Sequence, residues 1–184
     1  MTLFINACAR RNSRTARIAN AYLEKAGKPY CEVKIAGKAF PVADEEFLSR
    51  RDSLIGKGQF GDPMLVYARG FAEADEIVIA APYWDLSFPA CLKQYIEQIN
   101  VLGITFRYSD KGIPEGLCKA SRIVYITTCG GTFSPDEFGF GYIKALAENY
   151  YGIKDVRLIK AEGLDLVGAD VEKIVQSCID SLAP

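Results

Sequence analysis

Short, nearly continuous apolar runs recur along the chain and predict β-strands. They fall at residues 3–8, 30–35, 76–82, 122–128 and 155–165. The runs are too short and too β-prone for buried helices, and the second alternates like a half-buried strand. Strands of this apolar kind are typical of a parallel sheet that is covered on both faces.

Between these strands, apolar residues recur every three or four positions, which predicts amphipathic helices. In residues 13–26 the apolar side chains fall on one helical face, and Gly27 follows as a C-terminal signal. Asp62 and Pro63 form a cap and first-turn pair for another helix. The further helices are predicted at 44–56, 62–74, 89–102, 142–152 and 169–182, with a β-hairpin at 104–117.

The alternation of strands and helices predicts an α/β fold in one domain, residues 1–184. Right-handed crossovers would place helices on both faces of the sheet, giving a three-layer sandwich. Five strands fit a flavodoxin-like parallel sheet of order 2-1-3-4-5. The dinucleotide-binding order is disfavoured because G-x-G-x-x-G does not follow the first strand.

Composition narrows the function classes. Apolar residues make up 49%, charged residues 24%, and the net charge is −1, which disfavours nucleic-acid partners and disorder. The sequence shows neither a signal peptide nor an apolar run long enough to span a membrane, so a cytoplasmic protein without a membrane partner is expected. The absence of histidine excludes serine–histidine and cysteine–histidine catalysis. The six cysteines have no metal-site spacing, so no metal is expected.

Three loops follow the first, third and fourth predicted strands and should converge beside strand 1. They read "ARRNSRT", "PYWDLSFP" and "TTCGGTF". In open parallel sheets, ligands bind outside the carboxyl ends of the strands at the point where the strand order reverses. Together the three loops predict a site for a flat, phosphorylated cofactor.

Each loop also has a simpler interpretation. Ser13 and Thr15 begin a helix whose N-terminus and nearby arginines could bind an anion, or they could be ordinary caps. Trp84 could form the wall of a flat ligand site, or it could fill the end of the core or a dimer contact. Gly130 and Gly131 could let backbone amides approach a ligand, or they could form only a turn.

Cys8 and Arg14 have the spacing C-x5-R, which opens a rival interpretation. It resembles the phosphate loop of low-molecular-weight protein tyrosine phosphatases, in which such a cysteine is the nucleophile. The loop has no glycine, and the late Asp-Pro-Tyr segment of that family is missing. A non-catalytic flavin electron carrier is a third alternative, although such carriers are usually strongly acidic.

Two segments carry a resemblance to a known family. "APYWDLSFPACLKQYIEQI" resembles the P-x-W/Y-x-F-x-x-P-A-x-L-K segment of the flavodoxin-like NAD(P)H:quinone oxidoreductases and FMN-dependent azoreductases. "GITFRYSDKGIPEGLCKASRIVYITTCGG" is similar to that family's hairpin, following strand and flavin loop. With the first loop included, the resemblance runs from Leu3 to about Leu146.

The resemblance implies a homodimer that uses NAD(P)H to reduce FMN, rather than FAD, and passes hydride to a quinone-like or azo-like acceptor. No residue is expected to be catalytic, because the flavin carries the chemistry. The acceptor would contact Trp84 and Phe133. The implied cofactor-binding residues are Cys8, Ser13, Arg14, Thr15, Pro82, Tyr83, Trp84, Asp85, Leu86, Thr128, Cys129, Gly130 and Gly131.

The sequence departs from this family at three of those positions. Cys8 stands where a hydroxyl is usual, and Cys129 replaces a common arginine or glycine. Asp85 replaces an asparagine, and its carboxylate would repel an anionic reduced flavin unless it is protonated or points away.

Overall fold

The computed structural model describes residues 1–183, and its centre is a parallel β-sheet. The strands are β1 (Thr2–Asn6), β2 (Tyr30–Lys34), β3 (Glu76–Ala80), β4 (Phe106–Tyr108), β5 (Pro114–Gly116), β6 (Arg122–Thr128) and β7 (Asp155–Ala161). Five of them form one sheet of order β2-β1-β3-β6-β7, and each neighbouring pair is parallel. The predicted order 2-1-3-4-5 is confirmed, since β6 and β7 are the fourth and fifth strands of this sheet.

Helices cover both faces of the sheet, because its central strands are apolar on both sides. The α-helices are α1 (Arg14–Ala26), α2 (Glu45–Gly56), α3 (Val66–Glu73), α4 (Ala90–Ile99), α5 (Phe140–Leu146) and α6 (Val171–Asp180). Ile18 of α1 and Val175 of α6 pack with Val124 on one face. Leu92 of α4 and Ile143 of α5 belong to the core on the other face. The result is the predicted three-layer sandwich.

The predicted element boundaries differ from the structure most clearly at three elements. The helix predicted at 62–74 is a 3₁₀ turn, Pro63–Leu65, followed by α3. The helix predicted at 142–152 starts earlier, at Phe140, and continues as a π-helical turn, Ala147–Tyr151. The last strand ends at Ala161 instead of 165, because Gly163 has a φ of 75° and residues 163–165 bond to the loop after β6.

The hairpin predicted at 104–117 is present as β4 and β5, which pair in antiparallel fashion. Its second strand lies against the π-helical turn, and the Phe106 and Tyr150 rings meet edge to face with centroids 5.0 Å apart.

Among residues 1–183, no helix has both the length and the apolar character required to cross a bilayer.

Candidate functional site

A cavity of about 330 Å³ lies at the carboxyl ends of the central strands. The loops after β1, β3 and β6 meet there, as the sheet order requires. A fourth segment, the loop after β7, closes one side. The lining residues are Ala9, Arg10, Asn12, Ser13, Arg14, Thr15, Pro82, Tyr83, Trp84, Thr128, Cys129, Gly130, Leu164 and Asp165.

The first turn of α1 forms one end of the cavity. Ser13 is its N-cap, and its side chain accepts a hydrogen bond from the Ala16 N–H at 3.2 Å. Within residues 1–183, the N–H groups of Arg14 and Thr15 have no protein acceptor. These free donors and the positive end of the helix dipole make this end suitable for an anion. Ser13 is therefore a cap that borders the end of the cavity suited to an anion, so its two sequence interpretations are compatible.

Thr15 connects the first loop to the third. Its side chain is buried, and its Oγ1 lies 2.6 Å from Thr128 Oγ1 at the end of β6. A hydroxyl pair at this distance is a hydrogen bond. The contact fixes the start of α1 against the end of β6, where the third loop begins.

Arg14 has a partner that was absent from the sequence-based site. Its Nη1 lies 2.8 Å from Asp165 Oδ1, and it also donates to the Leu164 carbonyl at 3.4 Å. Asp165 and Leu164 follow β7, beside the loop after β6. The signal that could have found them is the strand order, since adjacent parallel strands bring their carboxyl-end loops together.

One backbone donor of the loop after β6 is already used within the protein. The Cys129 N–H is already bonded to the Ala161 carbonyl at 2.8 Å. Gly130 lines the cavity, and its N–H has no protein acceptor within the described residues. Gly131 is exposed and is not among the lining residues. Gly130 is thus a lining residue of this loop whose N–H is not used within the described residues.

Tyr83 and Trp84 provide the aromatic wall. The Tyr83 hydroxyl donates to the Pro135 carbonyl at 3.3 Å, which links the loops after β3 and β6. Trp84 is 41% exposed, so it does not fill the end of the core. Its backbone forms a two-residue hairpin turn with Ser87, with hydrogen bonds of 3.0 and 2.8 Å. The wall is therefore aromatic, partly open and held by backbone bonds.

Asp85 and Leu86 occupy the tip of this hairpin turn and do not line the cavity. Both have positive φ angles, 51° and 67°, and both side chains are exposed. Positive φ at both central positions is the conformation that a tight two-residue hairpin requires. The repulsion considered for the Asp85 carboxylate is reduced, because this residue lies at the turn tip, outside the lining.

Phe133 lies outside the cavity lining, on the exposed part of the loop after β6. Its side chain is 81% exposed. The loop is fastened on both sides of it: the Gly163 N–H donates to the Gly131 carbonyl at 3.0 Å, and Lys160 Nζ lies 2.8 Å from Asp136 Oδ1. The structure therefore presents Phe133 beside the cavity, on an anchored loop.

Cys8 lacks the properties of a nucleophile. It is 3% exposed, absent from the lining, and its thiol donates to the Ala80 carbonyl at 3.7 Å. Burial raises the pKa of the Cys8 thiol, and burial likewise raises that of Cys129. A nucleophilic cysteine needs exposure and a lowered pKa. The C-x5-R spacing therefore does not form a phosphatase site. Cys8 instead packs in the apolar core just after β1.

Known proteins resemble this chain in sequence and in fold. Residues 1–183 match a family model described as flavodoxin-like fold. The FMN-dependent NADH:quinone oxidoreductase of Clostridium beijerinckii is 36% identical over 95% of this chain and 91% of that protein. FMN-dependent NADH:quinone oxidoreductase 2 of Clostridium acetobutylicum is 38% identical, covering 97% of this chain and 94% of that one.

Among solved structures, an azoreductase from Bacillus anthracis str. Sterne superposes with a TM-score of 0.80. It is 24% identical and covers 97% of this chain and 94% of its own, which supports the fold alone. The sequence matches extend over nearly the whole chain and agree with the resemblance found in its motifs. The chain therefore belongs to the flavodoxin-like family that includes the FMN-dependent NADH:quinone oxidoreductases.

Proposed function

We propose that the protein is an FMN-dependent oxidoreductase that accepts reducing equivalents from NADH or NADPH and transfers them to a quinone-like acceptor. The observation that carries the proposal is one cavity with free helix N–H donors and Arg14 at one end and Trp84 on its wall. This arrangement fits a molecule that is anionic at one end and flat at the other. The names of the similar proteins, which refer to FMN, NADH and quinones, support the same conclusion.

The lining residues suit FMN by their donor chemistry. The first turn of α1 and Arg14 would hold the phosphate, and Tyr83 and Trp84 would contact the ring system. Gly130 would offer its free N–H to the cofactor. Bound FMN supplies the redox chemistry by accepting hydride from the nicotinamide and passing it on.

The chain's own contribution is binding and orientation. The thiols of Cys8 and Cys129 remain protonated near neutral pH, because burial raises the pKa of each. Trp84 and Phe133 leave apolar surface beside the cavity, which suits a planar acceptor. Azo compounds share that planar character with quinones, so they are proposed as a second class of acceptor.

We further propose that two copies associate around this cavity. Several large apolar side chains on the bordering loops are exposed, and Phe133, Phe138, Leu166 and Val167 are among them. Clustered apolar exposure of this kind marks an interaction surface more often than a free one. A second copy would cover these side chains and complete the acceptor pocket.

A reducing compartment, the cytoplasm, is also proposed. All six cysteines are free thiols: Cys8, Cys31, Cys91, Cys118, Cys129 and Cys178. Exposed Cys31 in particular would be oxidised more readily outside a reducing environment.

The first test is the visible absorption spectrum of the purified protein, before and after addition of FMN and dialysis. A retained flavin spectrum that NADH or NADPH bleaches, with colour returning when a benzoquinone is added without oxygen, would support the proposal. A protein that stays colourless with both FMN and FAD would overturn it. Hydrolysis of an aryl phosphate, lost in Cys8→Ser, would instead favour the phosphatase alternative.

The phosphate assignment is tested with Arg14→Met, using FMN and riboflavin as ligands. Loss of a charged hydrogen bond costs about 1.5–3 kcal/mol, so FMN should bind about tenfold or more weakly. Riboflavin has no phosphate, so its affinity should stay unchanged. Arg17→Met is the matched control, since Arg17 is similarly exposed but pairs with Glu172, which lies outside the cavity lining. Equal losses for FMN and riboflavin in Arg14→Met would refute the assignment.

A further inference from the structure

The anion end of the cavity contains a carboxylate. Asp165 lies within the loop after β7, and its Oδ1 is 2.8 Å from Arg14 Nη1. Among the residues that line the cavity, Asp165 is the single acidic one, while Arg10 and Arg14 are basic. A negative side chain is therefore paired with the cation assigned to the cofactor phosphate.

The backbone holds Asp165 in this place. Its N–H donates to the Gly130 carbonyl at 2.9 Å, and the Gly163 N–H donates to the Gly131 carbonyl at 3.0 Å. The Leu164 N–H completes this set by donating to the Cys129 carbonyl at 3.2 Å. These bonds extend the pairing of β6 and β7 into the two loops. The main chain at Asp165 is therefore fixed at the rim of the cavity.

Gly130 leaves the space that the carboxylate occupies. A Cβ placed on Gly130 would lie 2.4 Å from Asp165 Oδ2, far inside contact distance. Any other residue at 130 would push the carboxylate away from its position. The glycine thus serves Asp165 as well as any ligand that approaches this loop.

We infer that Asp165 competes with the cofactor phosphate for Arg14 and so weakens the protein's hold on FMN. The inference rests on the proposed function. A phosphate dianion at the first turn of α1 would meet a carboxylate bound to the same guanidinium, and like charges at such short range repel. The carboxylate thereby lowers the preference for a phosphorylated flavin over a neutral one and makes the cofactor easier to exchange.

The test is the dissociation constant of FMN and of riboflavin for Asp165→Asn, measured from quenching of flavin fluorescence. Exposed ion pairs contribute up to about 1 kcal/mol, so FMN should bind about threefold to fivefold more tightly. Riboflavin affinity should not change. The gain for FMN should shrink at 1 M salt, where the Debye length is about 3 Å.

Glu172→Gln is the matched control, because Glu172 pairs with Arg17 at 2.6 Å one turn further along α1 and does not line the cavity. It should leave both affinities unchanged. Asp165→Ser provides a second variant, and thermal melting of each variant verifies that it is folded.

Weaker FMN binding in Asp165→Asn would overturn the inference and make Asp165 a residue that orients Arg14. Unchanged FMN binding, or an equal gain for riboflavin, would overturn it as well. Wild-type protein that binds neither flavin would overturn the proposed function and this inference together. Wild-type binding of FMN without a gain in the variant would overturn the inference alone.

Discussion

At the scale of single residues, burial decides which side chains can react and which can only support. Cys8 completes a phosphatase spacing in the sequence, yet burial raises the pKa of its thiol and removes it from the cavity. Thr15 is equally buried, but its hydroxyl pairs with that of Thr128 at 2.6 Å and ties two loops of the site together. Residue type alone could not separate these roles.

Gly116 is a residue whose replacement we expect to be severe. A Cβ there would lie 2.1 Å from the Gly152 backbone nitrogen, so the β4–β5 hairpin would have to move off the π-helical turn. We expect Gly116→Ala to lower the free energy of unfolding by about 1–3 kcal/mol or more in urea denaturation. In the control Gly61→Ala the added Cβ meets nothing within 4 Å, and stability should stay equal or rise by about 0.4–1 kcal/mol. Equal behaviour of the two variants would contradict the close approach.

At the scale of elements, the segments that border the cavity are well bonded but locally strained. α1 begins with a satisfied cap at Ser13, and its next two N–H groups are left free for a ligand. The turn between Trp84 and Ser87 forces positive φ on Asp85 and Leu86. Leu86 is neither glycine nor asparagine, so the turn is maintained at a cost in backbone energy. Strain of this kind is concentrated at functional sites.

Leu86→Gly tests this strain. Relief of the left-handed conformation is worth about 1–2 kcal/mol, and it offsets the extra chain entropy of glycine, about 0.5–1 kcal/mol. We therefore expect Leu86→Gly to be neutral or slightly stabilising in urea denaturation. Leu102→Gly is the control, since Leu102 is 40% exposed against 45% for Leu86 but has no positive φ, and it should lose about 1 kcal/mol. A similar loss in both variants would show that the turn is not strained.

At the scale of the whole molecule, the sheet order determines which loops meet. Parallel strands β1, β3, β6 and β7 end at one edge, so their four loops surround a single cavity. The same edge carries the exposed apolar side chains assigned to a second copy. Cofactor binding and association are thus expected to depend on one another, because they use adjoining surfaces of these loops.

Sedimentation velocity at micromolar protein concentration tests the association. We expect wild-type protein to be a dimer and Phe133→Glu to raise the dimer dissociation constant about tenfold or more, as for an apolar contact at an interface centre. Tyr30→Glu is the control, because Tyr30 is also an exposed aromatic but pairs with Thr2 at the opposite, amino-terminal edge of the sheet. A monomeric wild-type protein would remove the dimer proposal.

Much of the cavity could be predicted from the sequence, because its signals are local. Ser13 precedes a periodic apolar run, Trp84 follows a buried strand, and Gly130 follows another, so short patterns place each at a carboxyl-end loop. The β4–β5 hairpin was predictable for the same reason. The backbone conformation of Leu86 was not predictable. Its positive φ arises because the hairpin turn closes within two residues, and leucine gives no signal for it.

By itself, the sequence determined the alternation of strands and helices and three of the four loops of the cavity. These follow from hydrophobic periodicity and capping, which act between residues close in the chain. Only the tertiary structure decided that Asp165 faces Arg14, 151 residues away, and that Cys8 is buried. Such contacts depend on which strands are neighbours and where each strand ends, and both are settled only when the whole sheet packs between its helices.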